Sequence, residues 1–186
     1  MKQIILASTS PRRRELLKQL NLDFQTVSPS FDEAKFTIST NPLSIEKLSL
    51  NKAKSVKTSV SALVIGADTV VISGDKIMGK PKSPDEAYLM LKTLSGNTHH
   101  VITGIAVVDT ETGKECTSHG ITYVTFNELS DEDIWNYIDT KKPFDKAGAY
   151  GIQELPENFV KSLDGDFDNV MGLPLKVVKN ILDSLN

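Results

Sequence analysis

Two sets of charged side chains stand out in the 186-residue chain because their neighbours are apolar or turn-forming, and together they suit phosphate chemistry. The cations are Arg12, Arg13, Lys52 and Lys80. Arg12 and Arg13 follow Ser8-Thr9-Ser10-Pro11, where Ser10 suits a helix N-cap and Pro11 the first helical position. A helix start leaves backbone N–H groups without intrahelical partners, its dipole favours negative charge, and guanidinium groups bind phosphate strongly. By itself the stretch fits an anion site and, equally, a capped surface helix with solvated arginines. Lys52 comes seven residues after Ile45 on a helix pattern whose apolar stripe contains Ile45, Leu48 and Val56, so it points with that stripe. Its ammonium either snorkels out along the stem or lies beside a bound anion.

The carboxylates are Glu33 and Asp68. Asp68 interrupts Ala62 to Ile72, the most apolar run of the chain, which reads as a buried strand. A carboxylate there must be paired, bind a metal or emerge into a cleft, and a bulge beside Gly66 would aim it outward. Glu33 follows Asp32 in the loop after Val27. Such a pair is either a solvated acidic turn or a source of oxygen ligands for a hard cation such as Mg²⁺. Cations neutralise phosphate oxygens, while carboxylates hold a metal or orient an attacking water.

These groups need elements to position them. Strands are expected at Gln3 to Leu6, Phe24 to Val27, Ala62 to Ile72, His99 to Asp109, Lys114 to Phe126 and Phe159 to Leu163. A helix begins at Ser10-Pro11, with Leu16, Leu17 and Leu20 facing the core, and another is opened by Pro42 and Ser44. Ser83-Pro84-Asp85-Glu86 is a capping box before a third helix that buries Ala87, Met90, Leu91 and Leu94 and stops at Gly96. Ser130 caps a fourth with Ile134, Tyr137 and Ile138 inward. The last places Val177, Val178, Ile181, Leu182 and Leu185 on its core face. Ser73-Gly74-Asp75-Lys76 has hairpin chemistry, and pairing across it returns Lys80 towards Asp68. Pro143 to Gln153 is rich in small residues and forms either a ligand-lining loop or a plain corner. Alternating strands and helices indicate an α/β class, with a mixed sheet flanked by helices.

Length fits one domain, residues 1–186, with two lobes as a variant. A net charge of -3 and 24% charged residues lack the basic excess of a nucleic-acid binder. Cys116 is the single cysteine, which removes a disulfide framework and suits a reducing cytoplasm. No run of about 18 apolar residues argues for a membrane span. His99, His100 and His119 lack metal-site spacing and read as structural or surface residues. The dinucleotide, P-loop, zinc-protease and serine-hydrolase motifs are all missing.

Six blocks in order, Leu6 to Arg13, Gly66-Ala-Asp-Thr-Val70, Gly79-Lys-Pro81, Leu94-Ser-Gly96, Asp145 to Gln153 and Gly172-Leu-Pro174, give the chain an end-to-end resemblance to the Maf family of nucleoside triphosphate pyrophosphatases. The resemblance implies an elongated α/β fold with two lobes around a central nucleotide cleft, similar to the inosine triphosphate pyrophosphatases, and a homodimer. It implies Mg²⁺- or Mn²⁺-dependent cleavage between the α and β phosphates to a nucleoside monophosphate and pyrophosphate. Arg12, Thr69 and Gln153 resemble the specificity residues of the dTTP/UTP branch, whereas the 7-methyl-GTP branch typically has Trp, Gln and Glu at these places. Arg, Thr and Gln offer hydrogen bonds to a neutral pyrimidine, while an aromatic face and a carboxylate suit a cationic purine. Carried over by position, Asp68 is the base that activates water, with metal ligation as a secondary role. Glu33 and Asp68 are the carboxylates nearest the metal, and Ser8, Arg13, Lys52 and Lys80 hold the triphosphate. Phe167 and Met171 depart from the family's frequent Tyr and Val. The competing reading is a nucleotide-binding regulator of cell division and septum formation acting through a partner. Within the enzyme class, the competing specificity is 7-methyl-GTP.

Overall fold

The computed structural model of the chain describes residues 2–185. Among these residues seven strands form one sheet: β1 (Gln3–Ala7), β2 (Phe24–Val27), β3 (Ala62–Ser73), β4 (Lys76–Met78), β5 (Thr98–Asp109), β6 (Glu115–Phe126) and β7 (Val160–Asp164). Their order is β2-β1-β3-β5-β6-β7, with β4 hydrogen-bonded to β3. The sheet is mixed: β1 runs parallel to β2 and β3, β4 is antiparallel to β3, and β7 is antiparallel to β6. Six α-helices accompany it: α1 (Pro11–Lys18), α2 (Pro42–Lys54), α3 (Pro84–Leu94), α4 (Asp131–Lys141), α5 (Phe167–Met171) and α6 (Leu175–Leu185). The expected α/β class, a mixed sheet flanked by helices, is therefore the observed one. None of the described helices is long and apolar enough to cross a membrane.

The chain divides into two compact units, Met1–Thr69 with Thr103–Gly120 and Gly172–Asn186, and Val70–Ile102 with Ile121–Met171. In the first unit, β1, α1 and β2 make a parallel strand-helix-strand connection of the kind typical of α/β proteins. Ser10 caps α1 and accepts the Arg13 N–H, with Pro11 at the first helical position. Leu16 and Leu17 are buried, but Leu20 lies beyond the helix end and is half-buried. Asn41, rather than Ser44, caps α2: its side chain accepts the Leu43 N–H at 3.0 Å. Ser44 instead accepts the Ser39 N–H. Ile5, Ala7, Ala53, Val56, Ala62 and Val64 form an apolar cluster here.

Two glycines bring α2 unusually close to the sheet. A Cβ on Gly66 of β3 would lie 2.1 Å from the Ser49 carbonyl oxygen, and one on Gly104 of β5 would lie 2.6 Å from the Ile45 carbonyl carbon. The helix backbone thus rests on bare strand backbone, and no other residue type leaves that room. The Ser49 hydroxyl completes the contact by donating to Gly104 O at 2.8 Å, besides Ile45 O at 2.9 Å.

The second unit holds the larger apolar cluster, which includes Leu91, Leu94, Phe126, Ile134, Tyr137, Ile138, Tyr150 and Phe159. Ser83 caps α3 and accepts the Glu86 N–H, while the Glu86 carboxylate reaches past it to the Lys82 N–H at 2.7 Å. Met90 is half-buried. The hairpin forms as expected, with Ser73 opposite Lys76 and Gly74 at φ +57°. His99 is buried, and its Nε2 lies 2.7 Å from the Tyr150 hydroxyl; burial pulls its pKa from 6.5 to about 4. The five-residue helix α5 was not expected, and on the last helix Val177 and Leu185 are half-buried.

Candidate active site

Gly66 and Asp68 are two residues apart on β3, and Ser49 and Lys52 are three apart on α2. Strand and helix periodicities therefore put Asp68 and Lys52 beside the close contact at Gly66. The Lys52 Nζ is hydrogen-bonded to the Asp68 carboxylate and lies 3.0 Å from Glu33 Oε1. Lys52 is 5% exposed, so its ammonium does not snorkel to the surface. Its partners are the two carboxylates singled out from the sequence.

Glu33 lies in a 3-10 turn, Glu33–Lys35, capped by Asp32, whose carboxylate accepts the Ala34 N–H at 3.2 Å. The two acidic neighbours thus separate in role: Asp32 orders the turn and Glu33 reaches Lys52. Two carboxylates meeting on one cation offer hard oxygen donors. Among the described residues no group of three or more His, Cys, Asp or Glu could hold a metal. This donor set fits Mg²⁺ or Mn²⁺, because such ions are commonly held by one or two carboxylates together with substrate phosphates and water.

Arg13 reaches from α1 to the residue after Asp68. Its Nε donates to Gly172 O at 2.8 Å and its Nη2 donates to the Thr69 hydroxyl at 3.1 Å. Burial pulls the guanidinium below its usual pKa, and the negative charge of Asp68 opposes that shift. Gly172 has φ +111°, and a Cβ there would lie 3.2 Å from Thr69 Oγ1 and 3.4 Å from Arg13 Nε. Gly172 therefore both accepts from Arg13 and leaves the room in which the guanidinium lies beside Thr69. Thr69 Oγ1 also lies 3.0 Å from Thr103 Oγ1, a fully buried hydroxyl that no sequence pattern marks. Ser8, 7% exposed, accepts the Ser10 N–H at 3.1 Å at the entry to α1. Arg12 is half-buried in the first turn of that helix.

The first unit thus holds Ser8 just after β1, Arg12 and Arg13 on α1, Glu33 on its 3-10 turn, Lys52 on α2, and Asp68 and Thr69 on β3. The remaining sequence candidates, Lys80 and Gln153, belong to the second unit. Lys80 is exposed just beyond β4, next to Gly79, whose carbonyl accepts the Gly148 N–H at 3.0 Å. Gly148, at φ +68°, packs so tightly on Val71 that a Cβ would sit 3.0 Å from its side chain. The same loop is tied by Gly151 N donating to the Tyr137 hydroxyl at 3.1 Å and by the Tyr150–His99 contact. These ties carry the loop to Gln153, which is exposed and donates through Nε2 to Glu154 Oε1 at 3.2 Å.

The sequence pattern of the family described as Maf-like protein matches residues 3–185. The chain belongs to that family. This Maf-like chain is 51% identical over 177 residues to a protein of Alkaliphilus oremlandii (strain OhILAs) named dTTP/UTP pyrophosphatase, covering 94% of this chain and 92% of the relative. It is 47% identical over 183 residues to a protein of the same name from Thermoanaerobacter sp. (strain X514), covering 97% and 95%. A solved structure of a HAM1 protein from Coxiella burnetii superposes with a TM-score of 0.53, covering 99% of this chain and 100% of that one. At 15% identity that likeness concerns the fold alone, and it agrees with the mixed α/β sheet flanked by helices described above.

Proposed function

We propose that the chain is a nucleoside triphosphate pyrophosphatase that acts on dTTP and UTP, and on modified pyrimidine nucleotides, to give the nucleoside monophosphate and pyrophosphate. The observation that carries this reading is the convergence of Asp68 and Glu33 on the buried Lys52 ammonium, with Arg13 held one residue away at Thr69. Relatives at 51% and 47% identity bear the name dTTP/UTP pyrophosphatase, and the chain has Arg12, Thr69 and Gln153 where that branch is distinguished.

In this reading Asp68 accepts a proton from a water molecule as the water's oxygen bonds to the α-phosphorus, and the bond from that phosphorus to the bridging oxygen breaks. The electron pair leaves on pyrophosphate. Ser8, Arg13, Lys52 and Lys80 hold the phosphates and offset the charge that develops on the leaving group. Lys52 already contacts the base, so one ammonium can follow negative charge from Asp68 to the substrate. Glu33 and Asp68 would hold a divalent cation, Mg²⁺ or Mn²⁺, which supplies charge neutralisation of the triphosphate. Arg12, Thr69 and Gln153 read the base. Residues 1–186 act as one domain, as a homodimer in the cytoplasm.

Purified chain supplied with Mg²⁺ or Mn²⁺ is expected to release pyrophosphate from dTTP and UTP faster than from purine triphosphates, and Asp68→Asn is expected to abolish that release. Full activity in Asp68→Asn would remove the assigned base. A substrate panel led by 7-methyl-GTP would overturn the specificity.

A further inference from the structure

Lys146 is a buried cation that none of the roles above uses. It is 7% exposed, its Nζ lies 2.9 Å from Asp145 Oδ1 and 3.2 Å from Glu154 Oε2, and its methylenes cover Gly151, where a Cβ would sit 2.8 Å from Lys146 Cε. Burying a lysine stem and fixing its head between two carboxylates is an expensive arrangement for a loop, and it needs a return. The return lies at Glu154. Its other oxygen, Oε1, accepts from Gln153 Nε2 at 3.2 Å, so one carboxylate links the buried ammonium to the side-chain amide of Gln153.

The chemistry of that link fixes which way round the amide lies. An ionised carboxylate only accepts hydrogen bonds, so the end of Gln153 beside Glu154 must be its NH₂ group, and its carbonyl oxygen is directed away. Uracil and thymine present a carbonyl at C4 and an N–H at N3. Cytosine presents an amino group at C4 and a bare nitrogen at N3. A Gln153 amide free to rotate about its last torsion pairs with either edge. An amide held in one sense distinguishes them, since the wrong base leaves donor facing donor or acceptor facing acceptor.

We infer that Lys146, acting through Glu154, is a positioning residue that locks the Gln153 amide in one orientation and so lets this chain reject cytosine nucleotides in favour of uracil and thymine nucleotides. The inference rests on the proposed base-reading role of Gln153. Glu154→Gln replaces the acceptor-only group by one that also donates, so both orientations of Gln153 become available. Lys146→Met keeps the buried stem and removes the charge, while Lys146→Arg keeps a cation for Glu154.

The test measures kcat and KM for UTP and CTP by pyrophosphate release in the full-length chain and in Glu154→Gln, Lys146→Met, Lys146→Arg and Gln153→Ala. The UTP-over-CTP ratio of kcat/KM is expected to fall about tenfold in Glu154→Gln and Lys146→Met, the size of one mispaired hydrogen bond. The fall is expected mainly in KM, with kcat for UTP nearly unchanged and the ratio largely kept in Lys146→Arg. If Gln153→Ala lowers the ratio but Glu154→Gln does not, Gln153 reads the base without this clamp and the inference is wrong. Glu154 is about one-third exposed, so its amide variant decides the matter even if Lys146→Met fails to fold. If Gln153→Ala leaves the ratio unchanged, the base-reading role itself fails, and the inference with it.

Discussion

The Arg13 guanidinium donates to the Thr69 hydroxyl at 3.1 Å, so a side chain proposed to hold phosphate and one proposed to read the base share a hydrogen bond. Arginine only donates, which leaves the Thr69 oxygen with one further acceptor site and its own proton. Thr103 Oγ1, 3.0 Å away and fully buried, occupies one of these. Two residues from two other segments, Arg13 and Thr103, therefore set the direction of one hydroxyl.

Thr103→Val removes that hydroxyl at nearly constant shape. The kcat/KM for UTP is expected to fall about tenfold, carried mainly by KM, and Thr103→Ser is expected to restore most of it. Steady-state kinetics on the three proteins checks this, and unchanged kinetics in Thr103→Val would mean that Arg13 alone holds Thr69.

Asp68→Asn keeps the shape of the proposed base and removes its capacity to take a proton. A loss of about 10²- to 10⁴-fold in kcat is expected, with the fold intact by circular dichroism. Glu33→Gln is expected to retain more activity at saturating Mg²⁺ and to need a higher Mg²⁺ concentration for half-maximal rate. Titration of Mg²⁺ against rate separates the two roles.

Lys52→Met leaves two carboxylates facing one another without their shared cation. Breaking such a mostly buried pair from one side costs about 3 kcal/mol, so chemical denaturation should show a clear drop in midpoint. Adding Asp68→Asn to Lys52→Met removes one of the stranded charges. The double variant is expected to be more stable than Lys52→Met alone, although neither is active.

Gly66→Ala puts a methyl group where the Ser49 carbonyl oxygen now lies, 2.1 Å from the Cβ position. Helix α2 must move, and about 3 kcal/mol of stability is expected to be lost. Because Lys52 moves with the helix, activity should fall further than stability explains, as seen by comparing kcat at a temperature where the variant remains folded.

His99 takes up a proton in the folded chain only near pH 4, against 6.5 when unfolded, because burial disfavours its charged form. Between these values the unfolded chain binds more protons, so stability falls as pH drops from about 6.5 towards 4 and is fully present above 6.5. The difference corresponds to about 3 kcal/mol. His99→Phe should be less stable at neutral pH, since the Tyr150 hydroxyl loses its partner, but its stability should vary less across this interval. Urea denaturation at pH 4.5, 5.5 and 7 in both proteins reads the change in slope.

The parts of the site visible in the sequence were those that broke a periodic pattern. Lys52 sat on an apolar helical stripe and Asp68 in an apolar strand run, and each is now explained by the other. What the pattern could not tell was the partner: Lys52 meets carboxylates, because pairing across 16 residues depends on the glycines at 66 and 104 rather than on local spacing. Thr103 gave no signal, since threonine is ordinary in a strand. Lys146 was equally silent, because its neighbours form a loop with no period against which a buried charge would stand out. Glu46 is a further case: it lies beside Ile45 on α2 and is 8% exposed, held by Thr117 and His119 at 2.6 Å each. Its neighbours Ile45 and Lys47 are an ordinary pair for a glutamate at the edge of an apolar stripe. Helix α5 was missed for want of length, since five residues give little more than one turn to read.

Contact of α2 with bare main chain at Gly66 and Gly104 has a consequence for how this scaffold can change. Where side chains separate a helix from a sheet, their replacement alters the spacing by fractions of an ångström and any catalytic pair drifts with it. Here the spacing is set by touching peptide groups, which every sequence has in common. Substitutions of side chains elsewhere can therefore accumulate without altering that spacing, on which the pairing of Lys52 with Asp68 depends.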